Sequence, residues 1–196
     1  GPAGSMYATV EDLARFESIL FAGGVTAEGR RVLEPRTLDA MWTPQSVAPA
    51  GQTGYGIGFR LDTFEGRRRV AHGGAIYGFA STLAALPDDK LGVIVVATLD
   101  GAIAITDRIA EAALRLMIAS RAGGPAPAIE TTRVLDGDEA RRLEGRYLSE
   151  TQGVELSEFE GRLFLTPLQG GLRGEVRRLG DARIVDDRLA WGPRIA

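Results

Sequence analysis

The clearest hydrophobic pattern in the chain lies between Ala80 and Thr98. Apolar Ala80–Leu86 runs into Pro87-Asp88-Asp89-Lys90, and Leu91–Thr98 follows, which predicts an antiparallel hairpin. The second arm holds Val93-Ile94-Val95-Val96, apolar at consecutive positions, and so belongs in the middle of a sheet covered on both faces. The cover is expected from a helix over about Ile103 to Ala119, where Ile105, Ile109, Ala112, Ala113, Leu116 and Met117 form one apolar stripe. Upstream, Thr9 is placed to cap a helix with Glu11 and Asp12 in its first turn. Leu13, Phe16, Ile19 and Leu20 recur at helical spacing, and Gly23-Gly24 ends the run. Pro35 opens a shorter helix that carries Leu38, Met41 and Trp42 inward and stops before Pro44.

Val47–Thr53 reads as loop. Gly54–Leu61 alternates glycine or polar with bulky apolar residues and predicts a single strand. Glu65-Gly66 turns the chain, and Arg67–His72 returns as the partner. The Arg67-Arg68-Arg69 run reads first as a solvated strand start beside a turn, ahead of an anion site. Arg121–Ala128 has linker composition. Beyond it come a short helical turn near Glu139–Leu143 and brief alternating segments: Gly145–Leu148, Val154–Glu158, Arg162–Thr166, Gly174–Arg178 and Arg183–Asp186. The expected organisation is therefore α+β. An antiparallel sheet flanked by helices occupies 1–120, a linker 121–133, and a small antiparallel β unit 134–196.

Composition narrows the chemistry. A net charge of −3 over 196 residues gives no electrostatic reason to expect nucleic acid. There is no cysteine, which removes disulfides, thiol catalysis and cysteine metal sites. His72 is the only histidine, so multi-histidine zinc sites are excluded, and neither a metal nor a cofactor is expected. Lys90 is the only lysine. No apolar run approaches the ~20 residues of a membrane-spanning helix. The chain begins at Gly1, so the lack of a visible signal peptide carries no information about compartment.

The lone histidine stands in Val70-Ala71-His72-Gly73-Gly74-Ala75-Ile76-Tyr77-Gly78-Phe79. Two glycines after a histidine at a strand edge leave backbone N–H groups uncovered by side chains, a setting for stabilising a developing oxyanion. On these grounds alone, a structural histidine beside a bulge stands slightly ahead.

Three stretches taken together resemble the penicillin-recognising serine hydrolases, that is, serine β-lactamases, D,D-peptidases, D-aminopeptidases and related esterases. They are Pro2–Phe16, Gly54-Tyr55-Gly56-Ile57-Gly58-Phe59, and His72-Gly73-Gly74 followed by Gly78-Phe79 and the hairpin. The resemblance covers roughly Gly1 to Ala119. It implies a partial β-lactamase-like domain in which His72-Gly73-Gly74 is the third active-site motif in its His-x-Gly form. It implies that Ala75 N–H is one half of the oxyanion hole, giving His72 and Ala75 catalytic roles. Gly73, Gly74, Ile76 and Tyr77 would line the substrate. It also implies that the small β unit is lipocalin-like.

The nucleophile motif of that family, Ser-x-x-Lys, is absent: three residues before Lys90 stands Pro87. Tyr-x-Asn is absent too. Both lie N-terminal to the His-x-Gly strand in the family, so the resemblance implies an N-terminal fragment of the same protein as the partner that carries them. None of Ser5, Ser18, Ser46, Ser81, Ser120, Ser149 and Ser157 sits in a Gly-x-Ser-x-Gly elbow. With imidazole in place of a fixed lysine charge and glycine at the hydroxyl position, esterase, amidase or aminopeptidase-like activity stands ahead of β-lactam or D-Ala-D-Ala hydrolysis. The competing class is a non-catalytic binding module built on a degenerate hydrolase fragment.

Overall fold

Local signals start the first helices. In α1 (Val10–Phe21), Thr9 Oγ1 accepts from the Asp12 N–H at 3.1 Å, and the Asp12 carboxylate accepts from the Thr9 N–H at 3.1 Å. This reciprocal capping box satisfies two donors that a helix start otherwise leaves unbonded. Gly24 ends α1 for a steric reason as well: a Cβ there would stand 2.1 Å from the Leu33 carbonyl oxygen. α2 (Pro35–Met41) has Pro35 in its first turn, where a missing N–H costs nothing. The computed structural model describes residues 4, 6–47, 54–99, 101–129, 131–150, 152–170, 173–179 and 182–186. These fall into two compact units, one of Gly1–Leu99 with Thr106–Pro127, the other of Asp100–Ile105 with Ala128–Ala196.

The first unit contains an antiparallel sheet in simple meander order: β1 (Ser46–Val47), β2 (Gly54–Tyr55), β3 (Arg60–Phe64), β4 (Arg67–Ile76), β5 (Phe79–Leu86) and β6 (Leu91–Ala97). Two expectations are corrected here. Val47 belongs to a short strand rather than a loop, whereas residues 48–53 of the expected loop lie outside the described residues. Gly54–Leu61 is not one strand but a tight hairpin, with Gly54 opposite Leu61 and Tyr55 opposite Arg60. Gly56 N–H donates to the Phe59 carbonyl at 2.9 Å, and Gly58 has φ +78°. A Cβ on Gly56 would lie 1.9 Å from the Met41 carbonyl oxygen, so that glycine belongs to a close backbone approach rather than to strand alternation.

Alternation along the strands sends side chains to two separate cores. Leu61, Val70, Leu83 and Ala85 pack with Leu20 of α1 and Leu38 of α2. Phe64, Ala71, Ala84, Leu86 and Leu91 pack with Ala110 and Leu114 of α3 (Ile103–Arg121). The sheet is therefore covered on both faces, as the apolar run of β6 requires. That run predicted a central strand, yet β6 is the last in the sheet, and no described strand pairs with its outer edge.

The arginine run is solvated in part, with Arg68 exposed, Arg67 half-buried and Arg69 buried, and each of the three meets a carboxylate. Arg67 meets Asp89 at 3.3 Å and Arg68 meets Asp88 at 2.6 Å. Arg69 is buried and bonds Asp62 through Nε and Nη2 at 2.6 and 2.7 Å, and Glu111 of α3 at 3.0 Å. The hydrogen bonds it donates to Asp62, and then to Glu111, hold its guanidinium pKa above the usual value against the effect of burial.

The second unit is a smaller antiparallel sheet, with β7 (Arg133–Val134), α4 (Gly137–Arg142), β8 (Gly145–Leu148), β9 (Gly153–Phe159), β10 (Arg162–Pro167), β11 (Gly174–Leu179) and β12 (Ala182–Asp186). Its order is β12-β11-β10-β9-β8, and β7, which the pattern did not predict, pairs with β11. α4 starts two residues earlier than expected because Asp136 Oδ1 caps the N–H groups of Asp138 and Glu139 at 2.9 and 3.3 Å. Leu135, Ala140, Leu163 and Val176 form its core. Beside them Glu175 is fully buried and meets Arg177 at 3.0 Å and Arg162 at 3.6 Å. The fold as a whole is α+β: a helix-flanked antiparallel sheet followed by a small antiparallel β unit.

Candidate active site

β4 is longer than its neighbour on one side. It pairs with β3 only from Arg67 to Ala71, and with β5 from Val70 to Ile76. From His72 to Ile76 its β3-side edge is thus free of any described strand. The two hairpins that flank β4 decide which backbone groups use that edge. Phe64 and Arg67 close a two-residue turn, as do Ile76 and Phe79, and residues flanking such turns bond to each other. Counting from the Ile76–Phe79 end, Ile76, Gly74 and His72 turn their N–H and C=O groups toward β5. Counting from the Phe64–Arg67 end, Arg67, Arg69 and Ala71 turn theirs toward β3. Both counts leave Gly73 and Ala75 with N–H and C=O directed at the free edge.

Side chains divide the same stretch differently. His72, Gly74 and Ile76 share a sheet face with Val70 and, across the ladder, with Leu83, Ser81 and Phe79. His72 is exposed, as are Gly73 and Ala75. Ile76 is 58% and Tyr77 94% exposed, and Phe79, directly opposite Ile76, is 51% exposed, so the hairpin tip is an open apolar rim. Gly78 at φ +80° makes the sharp return of this tip possible.

Gly74 has a steric role: a Cβ there would come within 2.8 Å of Ser81 Oγ. The Ser81 hydroxyl therefore stands over Gly74 on the His72 face. Sequence reading weighed Ser81 only as a nucleophile. Counting the register back from the Tyr77-Gly78 turn would have put it beside the motif. On the opposite face, Thr82 lies across from Gly73 and is buried. Its hydroxyl donates to Asp107 Oδ1 at 2.6 Å and lies 2.8 Å from Thr106 Oγ1, fastening α3 beneath the site strand. The six predicted residues, His72, Gly73, Gly74, Ala75, Ile76 and Tyr77, thus form one continuous run along the free edge and its tip. Among the described residues no group of acidic or histidine side chains has the geometry of a metal site, and no helix is long and apolar enough to cross a membrane.

A helix-flanked meander sheet with a His-x-Gly segment on a free edge defines a β-lactamase-like fold. The family profile described as Beta-lactamase matches residues 1–116. This chain belongs to that family. Among solved structures, the octameric penicillin-binding protein homologue from Pyrococcus abyssi is similar at TM-score 0.49 and 19% identity, over 91% of this chain and 42% of that one. SurE with D-Leu is similar at TM-score 0.36 and 21% identity, over 76% of this chain and 35% of the other. The chain spans less than half the length of these structures. No curated protein matches it.

Proposed function

We propose that this chain forms one wall of a serine hydrolase that works through an acyl-enzyme on an ester or amide, with esterase or D-amino-acid peptidase-like activity. An N-terminal part of the same protein supplies the Ser-x-x-Lys and Tyr-x-Asn motifs. The observation that carries this reading is the free edge of β4, where the Ala75 N–H is aimed at open space beside an exposed His72. The serine hydroxyl attacks the substrate carbonyl carbon and gives its proton to the neighbouring lysine. Ala75 N–H donates to the oxyanion that forms. Collapse of the tetrahedral intermediate expels the alcohol or amine, which takes up a proton, and water then releases the acid. His72 and Gly73 flank the reacting carbonyl, Gly74 keeps the wall flat, and Ile76 and Tyr77 contact the group beyond it. In this reading 1–120 is the C-terminal portion of the hydrolase domain, 121–133 a linker, and 134–196 a lipocalin-like domain.

The test is intact-mass spectrometry after treatment with a serine-reactive phosphonate, on this chain alone and with the N-terminal part. An adduct only on the N-terminal part, formed only when both are present, is the expected result. An adduct on the 196-residue chain overturns the claim that the nucleophile lies elsewhere. No adduct in either sample moves the binding-module reading ahead.

A further inference from the structure

The free edge of β4 owes its position to its neighbour. Gly73 and Ala75 turn their N–H and C=O groups away from β5, so from His72 onward β4 is tied to β5 only at His72, Gly74 and Ile76, opposite Leu83, Ser81 and Phe79. Gly73 and Gly74 have no side chains to pack, and glycine backbone is permissive. Past Ala71 no described strand flanks the other side. The placement of the Ala75 N–H is therefore inherited from β5.

β5 is itself held in two ways along its length. Leu83 and Ala85 pack into the core under α1 and α2, and Ala84 and Leu86 into the core under α3. Thr82 belongs to neither core, yet it is 3% exposed. A buried hydroxyl is costly unless it is bonded. That of Thr82 donates to Asp107 Oδ1 at 2.6 Å, which leaves its oxygen to accept from buried Thr106 at 2.8 Å. Thr106 and Asp107 are consecutive in α3, so one turn of the helix grips one point of β5. Valine has nearly the same shape and would fill the same space by apolar contact alone. Hydrogen bonds are directional and fix one arrangement of helix on strand. The grip falls directly opposite Gly73, just past the point where β4 loses β3. A strand pair without mutual hydrogen bonds brings its backbones to about 4.5 Å, so a shift of β5 at Thr82 passes straight to Gly73.

We infer that Thr82 is a positioning residue of the hydrolase: through β5 it sets where the Ala75 N–H meets the oxyanion, and Thr106 and Asp107 hold Thr82 in turn. The inference rests on the proposed function for the reaction it serves. Thr82 points to the sheet face opposite His72, so it acts on the edge without touching substrate. Misplacing a group that must meet a reacting atom by about 1 Å costs about 10²-fold in rate. The oxyanion exists only beyond the ground state, so the loss falls on kcat and spares KM.

The test measures kcat and KM for phenyl acetate with the complemented enzyme, this chain together with its N-terminal part. Thr82→Val is expected to lower kcat about tenfold or more, with KM held within about twofold. Thr82→Ser keeps the hydroxyl and is expected to retain kcat within about threefold. Asp107→Asn leaves both threonines in place and is expected to lower kcat by about threefold, which tests the grip even where Thr82→Val fails to fold. Ile118→Ala, in the same α3 core but toward the other end of the helix, is expected to lower the melting temperature comparably while kcat holds. In the isolated chain, Thr82→Val is expected to shift the amide NMR signals of Gly73 and Ala75 and to leave those of Arg67–Arg69 in place. A wild-type kcat in Thr82→Val or, if that variant does not fold, in Asp107→Asn overturns the inference. Unmoved Gly73 and Ala75 signals overturn it, and so does a Thr82→Ser variant as slow as Thr82→Val. An Ile118→Ala variant that loses as much kcat reduces Thr82 to general stability and overturns it too. Turnover by wild type and Thr82→Val alike leaves the proposed function standing without the inference. Neither turnover nor a phosphonate adduct with the wild-type pair overturns the proposed function, and the inference with it.

Discussion

Two edges that no described strand covers in the sheet of the first unit, that of β4 at His72–Ile76 and that of β6, differ in almost every respect. The edge at His72–Ile76 is short and rich in glycine, and its side chains are small or exposed. The edge of β6 is seven residues long, wholly apolar and backed by two cores. Small residues beside outward N–H groups let a carbonyl of a small molecule approach the backbone, whereas a long apolar edge suits another strand.

The largest expected effect separates the two edges at the backbone. In the complemented enzyme, Ala75→Pro removes an outward N–H without breaking the β5 ladder. Its kcat is expected to fall about 10²–10³-fold with the fold retained, as for loss of one oxyanion donor. An unchanged kcat would show that the β4 edge does not hold the oxyanion. Next is Arg69→Ala, which leaves Asp62 and Glu111 without their cation and loosens β3, the strand whose end exposes the site. A loss of about 3 kcal/mol in denaturant unfolding is expected, in keeping with breaking a buried pair.

At the β6 edge, acid stabilises the isolated chain. Glu17, buried on α1 with its carboxylate against Gly92, is pushed up by burial to about 7 from an ordinary 4.5, so between these pH values the folded chain holds more protons than the unfolded one. The contribution is fully present below about 4.5 and is lost as pH rises through about 7. Glu17→Gln is expected to raise stability at pH 8 by about 2 kcal/mol and to flatten the pH dependence of the melting temperature between 5 and 8. A variant that melts lower at pH 8 would mean that the carboxylate has a partner. The smallest effect returns to the first edge. Gly74→Ala brings a methyl to 2.8 Å from Ser81 Oγ, a side chain free to rotate, and is expected to destabilise by about 1 kcal/mol or less. Gly74→Ala combined with Ser81→Ala should recover that loss.

Much of the fold was legible because its signals are local. Thr9 with Asp12, Pro35, Gly23-Gly24 and the Pro87–Lys90 turn act within a few residues, and each starts or ends an element where the pattern places it. The His72–Tyr77 run was legible for the same reason, since motif and tip are contiguous. Other features escaped because their causes lie far along the chain. Gly56 in the Gly54–Leu61 stretch answers to the Met41 carbonyl, and Arg69 answers to Glu111, 42 residues away.

What the sequence determined by itself is the three helices of the first unit, the β5–β6 hairpin and the place of the glycine-rich motif, because capping, turns and alternation act over a few residues. Only the tertiary structure decided that β4 outruns β3, that Ser81 stands over Gly74, and that Glu17 is shut against Gly92. Each of these depends on strand register and on helices packing across a sheet, which bring together residues the chain keeps far apart.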